Sequence, residues 1–148
     1  MVDERLTAEQ AEALRAELAE LEGPRRTEIV AAIKKAREFG DLSENFEYHA
    51  AKNEQGFLEA RIRTLRARLD HSEIVEKAGS DAVGIGSVVE VEDDAGEVMT
   101  VEISALGGVG TVSPTSPLGS ALLGHAVGES VEVQAPRGPW KAKVRAIR

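Results

Sequence analysis

The 148-residue sequence contains no cysteine. This absence excludes disulfides, thiolate zinc sites and cysteine nucleophiles, and it favours a cytoplasmic protein, because intracellular chains seldom depend on disulfides. Aromatic residues make up only 3% of the chain, so any core must be mainly aliphatic. No apolar run approaches the roughly 20 residues that cross a bilayer, and the chain begins with charged residues. We therefore expect no membrane segment and no export signal.

Positive charge is also scarce. The chain has 18 Lys and Arg residues against 26 Asp and Glu residues, a formal net charge of −8. Proteins that bind nucleic acid unaided normally present a basic surface that releases counterions from the phosphates. We therefore expect no independent DNA binding, and any contact with nucleic acid should be local or depend on a partner. The three histidines are far apart in sequence and lack metal-ligand spacing.

The periodicity changes near residues 77–83, which predicts a hairpin domain over 1–77 and a second domain over 78–148. Thr7 and Gln10 match a capping box, which marks the start of a helix. The apolar stripe of that helix is interrupted at Gly23 and Pro24, which predicts a kink or register shift there. The stripe comprises Leu14, Leu18 and Leu21, followed by Ile29, Ile33 and Ala36.

A second helix shows the alternating three- and four-residue spacing of a coiled-coil seam. A short turn over 39–43 lets it return antiparallel onto the first helix, and about 30 residues per helix give an arm of roughly 45 Å. Four arginines on its outer face predict a solvated surface. The seam residues are Tyr48, Ala51, Gln55, Leu58, Ile62, Leu65 and Leu69.

The second half alternates between short apolar runs and turn residues. Strands are predicted over 87–92, 97–103, 130–134 and 140–147, with a short helix that begins at Pro117 and ends before Gly124. The fold class is therefore α+β: an N-terminal antiparallel coiled-coil helical hairpin followed by a small antiparallel β domain with one short helix.

An acidic cluster over 40–47 occupies the predicted tip of the hairpin and contains Asp41, Glu44 and Glu47. The spacing of Asp41 and Glu44 matches a capping box, which is the commoner use of such a pair. The same two carboxylates could hold a cation. Magnesium usually takes only one or two protein carboxylates, so the pair would form half of a site completed by a partner.

Basic residues flank this tip on both helices: Lys34, Lys35 and Arg37 before it and Lys52 after it. They could meet an RNA backbone if the arm were inserted into a complex. They could equally form solvated ion pairs with Glu38 and Glu47, each worth below about 1 kcal/mol. The spacing leaves both interpretations open.

Two segments together carry a resemblance to a known family. The tip sequence GDLSEN followed by EYHAA closely resembles the tip of the Gre transcript cleavage factors, and residues 25–37 resemble their ascending helix. The segment VSPTSPLG at 112–119 resembles the Ser-Pro segment of the same family, in the same order along the chain. The match extends over nearly the whole chain. Residues 103–112 are shorter than is usual for the family, and Phe46 stands where a small residue is common.

The resemblance implies an FKBP-like second domain that docks at the rim of the RNA polymerase secondary channel, with Ser116, Pro117, Leu118 and Gly119 as docking candidates. It implies that the arm enters the channel of the bacterial enzyme. There Asp41 and Glu44 would help hold a second catalytic Mg2+ that is supplied jointly with the polymerase and is not bound by the isolated protein.

The same resemblance implies that the polymerase, and not this chain, is the enzyme that cuts backtracked RNA. Arg37, Lys52 and Lys34 are the candidates for contact with the nascent RNA 3′ end, and the protein is expected to be a cytoplasmic monomer. The tip is more similar to GreA than to GreB, which implies cleavage of short fragments.

Two other interpretations stay open. A Gre-like secondary-channel regulator could occlude or inhibit the polymerase without stimulating cleavage, although an inhibitor has no need of Asp41 and Glu44 in this spacing. A non-enzymatic interaction module could instead use the seam for an intermolecular coiled coil. Gly40 and the reversal of the helices at the tip disfavour a long parallel dimer.

Overall fold

The structure is a computed structural model that describes residues 4–41 and 44–148. Leu42 and Ser43 of the predicted turn lie outside the described residues. By contacts the chain forms two compact units. One spans Glu12–His71, and the other combines the described residues up to Ala11 with Ser72–Arg148. The sheet-containing unit thus includes residues 4–11 and 72–77, which the predicted division at 77–83 assigned to the hairpin.

In the helical unit, two helices joined by a π-helical turn run almost continuously, and a third helix returns along them. Helix α1 (Ala8–Glu20) leads into a π-helical turn (Leu21–Arg25) and helix α2 (Arg26–Arg37), and helix α3 (Phe46–Asp70) returns. The π-helical turn contains Gly23 and Pro24, so the predicted register shift is confirmed. A π turn winds more loosely than an α turn and rotates the following stripe.

The predicted seam is buried within the chain. Ile29 and Ile33 of α2 pack with Ala51, Leu58 and Ile62 of α3 in one apolar cluster. The antiparallel hairpin therefore buries the apolar stripes of both helices against each other, and no intermolecular coiled coil is needed to bury them.

Ion pairs join the helices outside this seam. Arg26 donates two hydrogen bonds of 2.9 Å to the Glu59 carboxylate, and Arg61 pairs with Glu17 at 3.0 Å. Two further pairs link Arg25 to Glu54 and Arg66 to Glu22. Arg61 and Arg66 are exposed, as predicted for a solvated face, and they also form ion pairs with the preceding helical segments.

The other unit contains two sheets. Strands β1 (Glu4–Thr7) and β2 (Ser72–Val75) form a parallel pair that the periodicity did not predict. A five-stranded sheet has the order β5-β4-β3-β7-β6. Its strands are β3 (Val88–Glu92), β4 (Val98–Ile103), β5 (Thr111–Val112), β6 (Ser130–Ala135) and β7 (Gly138–Ile147).

Four of these strands were predicted, and they pair antiparallel as expected. The two-residue β5 pairs parallel with β4, so the sheet is mixed. Alternating residues of β3, β4, β6 and β7, with Leu122 of helix α4 (Pro117–Leu122), form the aliphatic core. The capping box at the start of α1 is confirmed, because Thr7 and Gln10 exchange hydrogen bonds of 3.1 and 3.2 Å. Within the described residues, no helix is long and apolar enough to cross a membrane.

Candidate functional site

The hairpin tip begins where α2 tightens into its last turn. The backbone N–H groups of Glu38, Phe39 and Gly40 each donate to a carbonyl three residues earlier, at 3.2 to 3.3 Å. Gly40 then adopts φ +99°, a left-handed conformation that L side chains rarely adopt. The glycine therefore allows the chain to leave α2 and turn toward α3.

Asn45 begins the returning helix. Its side-chain oxygen accepts a hydrogen bond of 3.0 Å from the backbone N–H of Tyr48, and α3 starts at Phe46. Asn45, and neither Asp41 nor Glu44, is therefore the N-cap residue of α3. Asparagine is among the best N-cap residues, so the Asn45-to-Tyr48 spacing was a signal that the acid pair obscured.

The tip acids lie on the surface beside that helix start. Asp41, Glu44 and Glu47 are all exposed and line one cavity of about 450 Å³. The positive end of the α3 dipole lies close by and favours negative charge. In the part of the chain that is described, no group of three or more His, Asp or Glu side chains could hold a metal ion. A pair of carboxylates fits a magnesium ion whose other ligands come from elsewhere.

The basic residues near the tip differ in their contacts: Arg37 and Lys52 contact neighbouring side chains, whereas Lys34 and Lys35 are exposed. Lys34 and Lys35 are exposed, and among residues 4–41 and 44–148 neither forms an ion pair with Glu38 or Glu47. The guanidinium carbon of Arg37 lies 5.9 Å from the centroid of the Tyr48 ring, within cation–π range. Lys52 donates a hydrogen bond of 3.0 Å to the Gln55 side chain. The ion-pair interpretation thus has no support in this geometry.

Two phenylalanines complete the tip. Phe39 is 64% exposed and Phe46 is 88% exposed, and both line the cavity that the acids line. The Phe46 ring therefore does not pack beneath the tip. Periodicity indicates which apolar residues face a core, but it does not indicate which exposed rings share a cavity.

The four residues proposed to dock on a partner differ in how deeply they are buried. Ser116 caps α4: its hydroxyl accepts a hydrogen bond from the Gly119 N–H at 3.1 Å and donates to the Ser113 carbonyl at 2.6 Å. Gly119 is buried, and a Cβ there would lie 1.9 Å from the Ser113 carbonyl oxygen. Leu118 is partly buried against the core, whereas Pro117 is exposed. Of the four, Pro117 presents the most accessible side chain to a partner.

Comparison with known proteins covers both units. A family model described as "Transcription elongation factor, N-terminal" matches residues 4–74, and one described as "Transcription elongation factor, GreA/GreB, C-term" matches residues 78–148. Transcription elongation factor GreA of Caldanaerobacter subterraneus subsp. tengcongensis is 42% identical and covers 97% of this chain and 96% of the relative.

The GreA of Streptococcus pneumoniae serotype 4 is also 42% identical, over 96% of this chain and 93% of the relative. The solved structure of the transcription factor Gfh1 is 33% identical with a TM-score of 0.50, and it covers 100% of this chain and 99% of that one. These matches confirm the resemblance on which the sequence interpretation relied. The chain belongs to the GreA/GreB family of transcription elongation factors.

Proposed function

We propose that this protein binds bacterial RNA polymerase and stimulates the polymerase's own cleavage of backtracked RNA, without being the nuclease itself. The observation that supports this most directly is the position of Asp41 and Glu44. Both carboxylates are exposed at the tip of a helical hairpin, and the helix start beside them is capped by Asn45 instead. The N-cap of α3 therefore does not require either carboxylate.

In this proposal Asp41 and Glu44 hold a magnesium ion together with carboxylates of the polymerase. When bound, such an ion activates a water molecule and stabilises negative charge on the phosphate that is attacked. The chain's own contribution is to place two negative oxygens on a stiff support. The aliphatic seam and the interhelical ion pairs supply that stiffness, because positioning is effective only when the ligands are held in place.

In this proposal, basic residues near the tip contact RNA, and the region around Pro117 contacts polymerase. Lys34 and Arg37 lie on the last turn of α2, and Lys52 lies on α3, so they could contact the phosphates of the RNA 3′ end. The arm would enter the secondary channel while the region around Pro117 docks at its rim. The protein would act as a monomer in the cytoplasm, where the polymerase works.

The test is RNA cleavage in stalled, backtracked polymerase complexes. Asp41→Asn and Glu44→Gln remove one charge each and keep the side-chain shape. We expect each to lower the cleavage rate by roughly 100-fold, which is typical for loss of one preorganised charge-stabilising group. More magnesium should partly restore the rate. Glu38→Gln is the matched control, because Glu38 is an exposed acid just before the tip.

Binding must be measured in parallel, by competition with the labelled wild-type protein for polymerase. Equal binding of all variants, with activity lost only in the two acid variants, is the expected result. If the wild-type protein binds but does not stimulate cleavage, the chain is a channel-binding regulator instead. If Glu38→Gln loses as much activity as Asp41→Asn, general tip charge and not a metal pair is responsible. Sedimentation that shows a dimer dissociating on dilution would contradict the monomer.

A further inference from the structure

The aromatic residues of this chain are concentrated at the hairpin tip. The sequence contains only three Phe, one Tyr and one Trp. Three of them, Phe39, Phe46 and Tyr48, lie within ten residues that span the end of α2 and the start of α3. A chain that uses so few rings has placed most of them beside its candidate site.

Two of these rings are not used for packing. Phe46 and Phe39 expose 88% and 64% of their surface, and both line the cavity that Asp41 and Glu44 share. Tyr48 differs, because it packs partly against the helical core and lies under the Arg37 guanidinium. Among the described residues, neither phenylalanine takes part in a ring pair or a cation–π contact. Their faces are therefore available to a planar ligand.

The charges around the rings restrict what that ligand can be. Without a bound cation, Asp41, Glu44 and Glu47 repel a phosphate, so the exposed rings beside them favour the uncharged base of a nucleotide over its phosphate. The phosphates can follow Lys34 and Lys35, which lie about one to two turns back along α2. Aromatic faces next to a basic track are how many proteins hold single-stranded nucleic acid, since every base has a face that stacks.

We infer that Phe46, with Phe39 beside it, is a stacking site for an unpaired base of the backtracked RNA. This inference rests on the proposed function and adds a positioning contact to it. Stacking fixes the nucleotide without adding positive charge, so the two carboxylates keep their affinity for a cation. It also tolerates any sequence, which a factor acting along whole transcripts requires.

The test compares Phe46→Ala, Phe46→Leu and Phe46→Trp in backtracked complexes with saturating magnesium. The Leu variant keeps apolar area but has no aromatic face. We expect the Ala and Leu variants to raise the protein concentration that gives half-maximal cleavage by roughly 5- to 150-fold, the equivalent of the 1–3 kcal/mol lost when a stacked ring is removed. The Trp variant should match or exceed the wild type. Phe57→Ala is the control, because Phe57 is 77% exposed on the same helix, about 16 Å from Phe46.

A second RNA distinguishes a base from a protein partner. In a transcript whose unpaired 3′ nucleotides are abasic, the wild-type protein should fall to the level of Phe46→Ala, and the Ala variant should lose nothing more. The inference is overturned if Phe46→Ala is weaker than the wild type by the same factor on normal RNA and on abasic RNA, because the ring would then contact polymerase and not a base. Unchanged cleavage by Phe46→Ala would also overturn it, as would loss of polymerase binding by Phe46→Ala in the competition assay. If the wild-type protein itself stimulates no cleavage, the proposed function fails first.

Discussion

The Asn45 side chain ties the end of one helix to the start of the next: its amide nitrogen donates a hydrogen bond of 2.6 Å to the carbonyl of Ala36. Its oxygen meanwhile accepts from Tyr48 at 3.0 Å. Ala36 is buried in the last turn of α2. One amide therefore satisfies a backbone acceptor of α2 and a backbone donor of α3. This closure holds the two helix ends together at the tip.

Replacing Asn45 should loosen the tip in a way that separates these two bonds. Asn45→Ala removes both and should lower the free energy of unfolding of the hairpin by about 1–2 kcal/mol. Asn45→Asp keeps an acceptor for the Tyr48 N–H but loses the donor to Ala36. Hydrogen exchange at the Tyr48 amide should accelerate in the Ala variant and much less in the Asp variant. Equal protection of that amide in all three proteins would contradict the assignment of the cap.

The helical part of the fold was predictable because burial and periodicity coincide there. Leu58, Ile62 and Leu65 repeat at seam spacing and are buried, and the Gly23-Pro24 interruption marked the π-helical turn. The parallel strand pair was not predictable. Glu4–Thr7 and Ser72–Val75 are four residues each, with little alternation, and they pair with segments distant in sequence. Strands this short depend on tertiary context, which local pattern does not contain.

The sequence identified the acidic residues of the candidate site, but it did not predict which residue caps the adjacent helix. The acids at 41 and 44 could be placed at a tip, yet their spacing favoured a cap that Asn45 provides. Burial separated the docking candidates in a way that the motif could not, since Ser116 and Gly119 hold the start of α4. A linear motif records which residues occur together, whereas the division between internal and surface roles depends on the folded neighbourhood.

Gly119 should be essential for the fold of the sheet-containing unit, whatever its role in binding. In Gly119→Ala the new Cβ would meet the Ser113 carbonyl oxygen at 1.9 Å, so the backbone must shift. We expect a loss of about 2–3 kcal/mol in the free energy of unfolding, at the upper end for overpacking. Chemical denaturation measures it. Ser120→Ala is the control, since Ser120 is exposed in the same helix, and a similar loss there would exclude the steric explanation.

Pro117 should behave in the opposite way. It is exposed at the first position of α4, so Pro117→Ala removes a surface contact and should change the melting temperature little. If the docking proposal holds, polymerase affinity should fall by roughly 10-fold, the effect of losing about 1.4 kcal/mol of contact energy. Competition with the wild-type protein provides the measurement. Unchanged affinity, with normal folding, would place the docking surface elsewhere on the unit.

The Arg26–Glu59 pair should make hairpin stability depend on pH. The hydrogen bonds from Arg26 hold the pKa of Glu59 below its ordinary value, against a smaller opposing effect of desolvation, while nearby Arg63 and Arg66 lower it further. The pKa of Arg26 is raised by the same bonds, so both partners agree in direction. Because the carboxyl pKa is lower in the folded state, the stabilisation is complete above the unfolded value of about 4.3 and is lost as pH falls through the folded value.

The measurement is the difference in free energy of unfolding between the wild-type protein and Glu59→Gln, followed from pH 7 to pH 2.5. This free-energy difference should stay level down to about pH 5 and then fall to a small remaining value, because a protonated carboxyl and an amide interact similarly with arginine. Taking the difference removes the contribution of Glu129, whose pKa is lowered by a hydrogen bond from His125 in both proteins. A difference that is as large at pH 2.5 as at pH 7 would show that Glu59 stabilises the hairpin by packing, since packing does not depend on its charge.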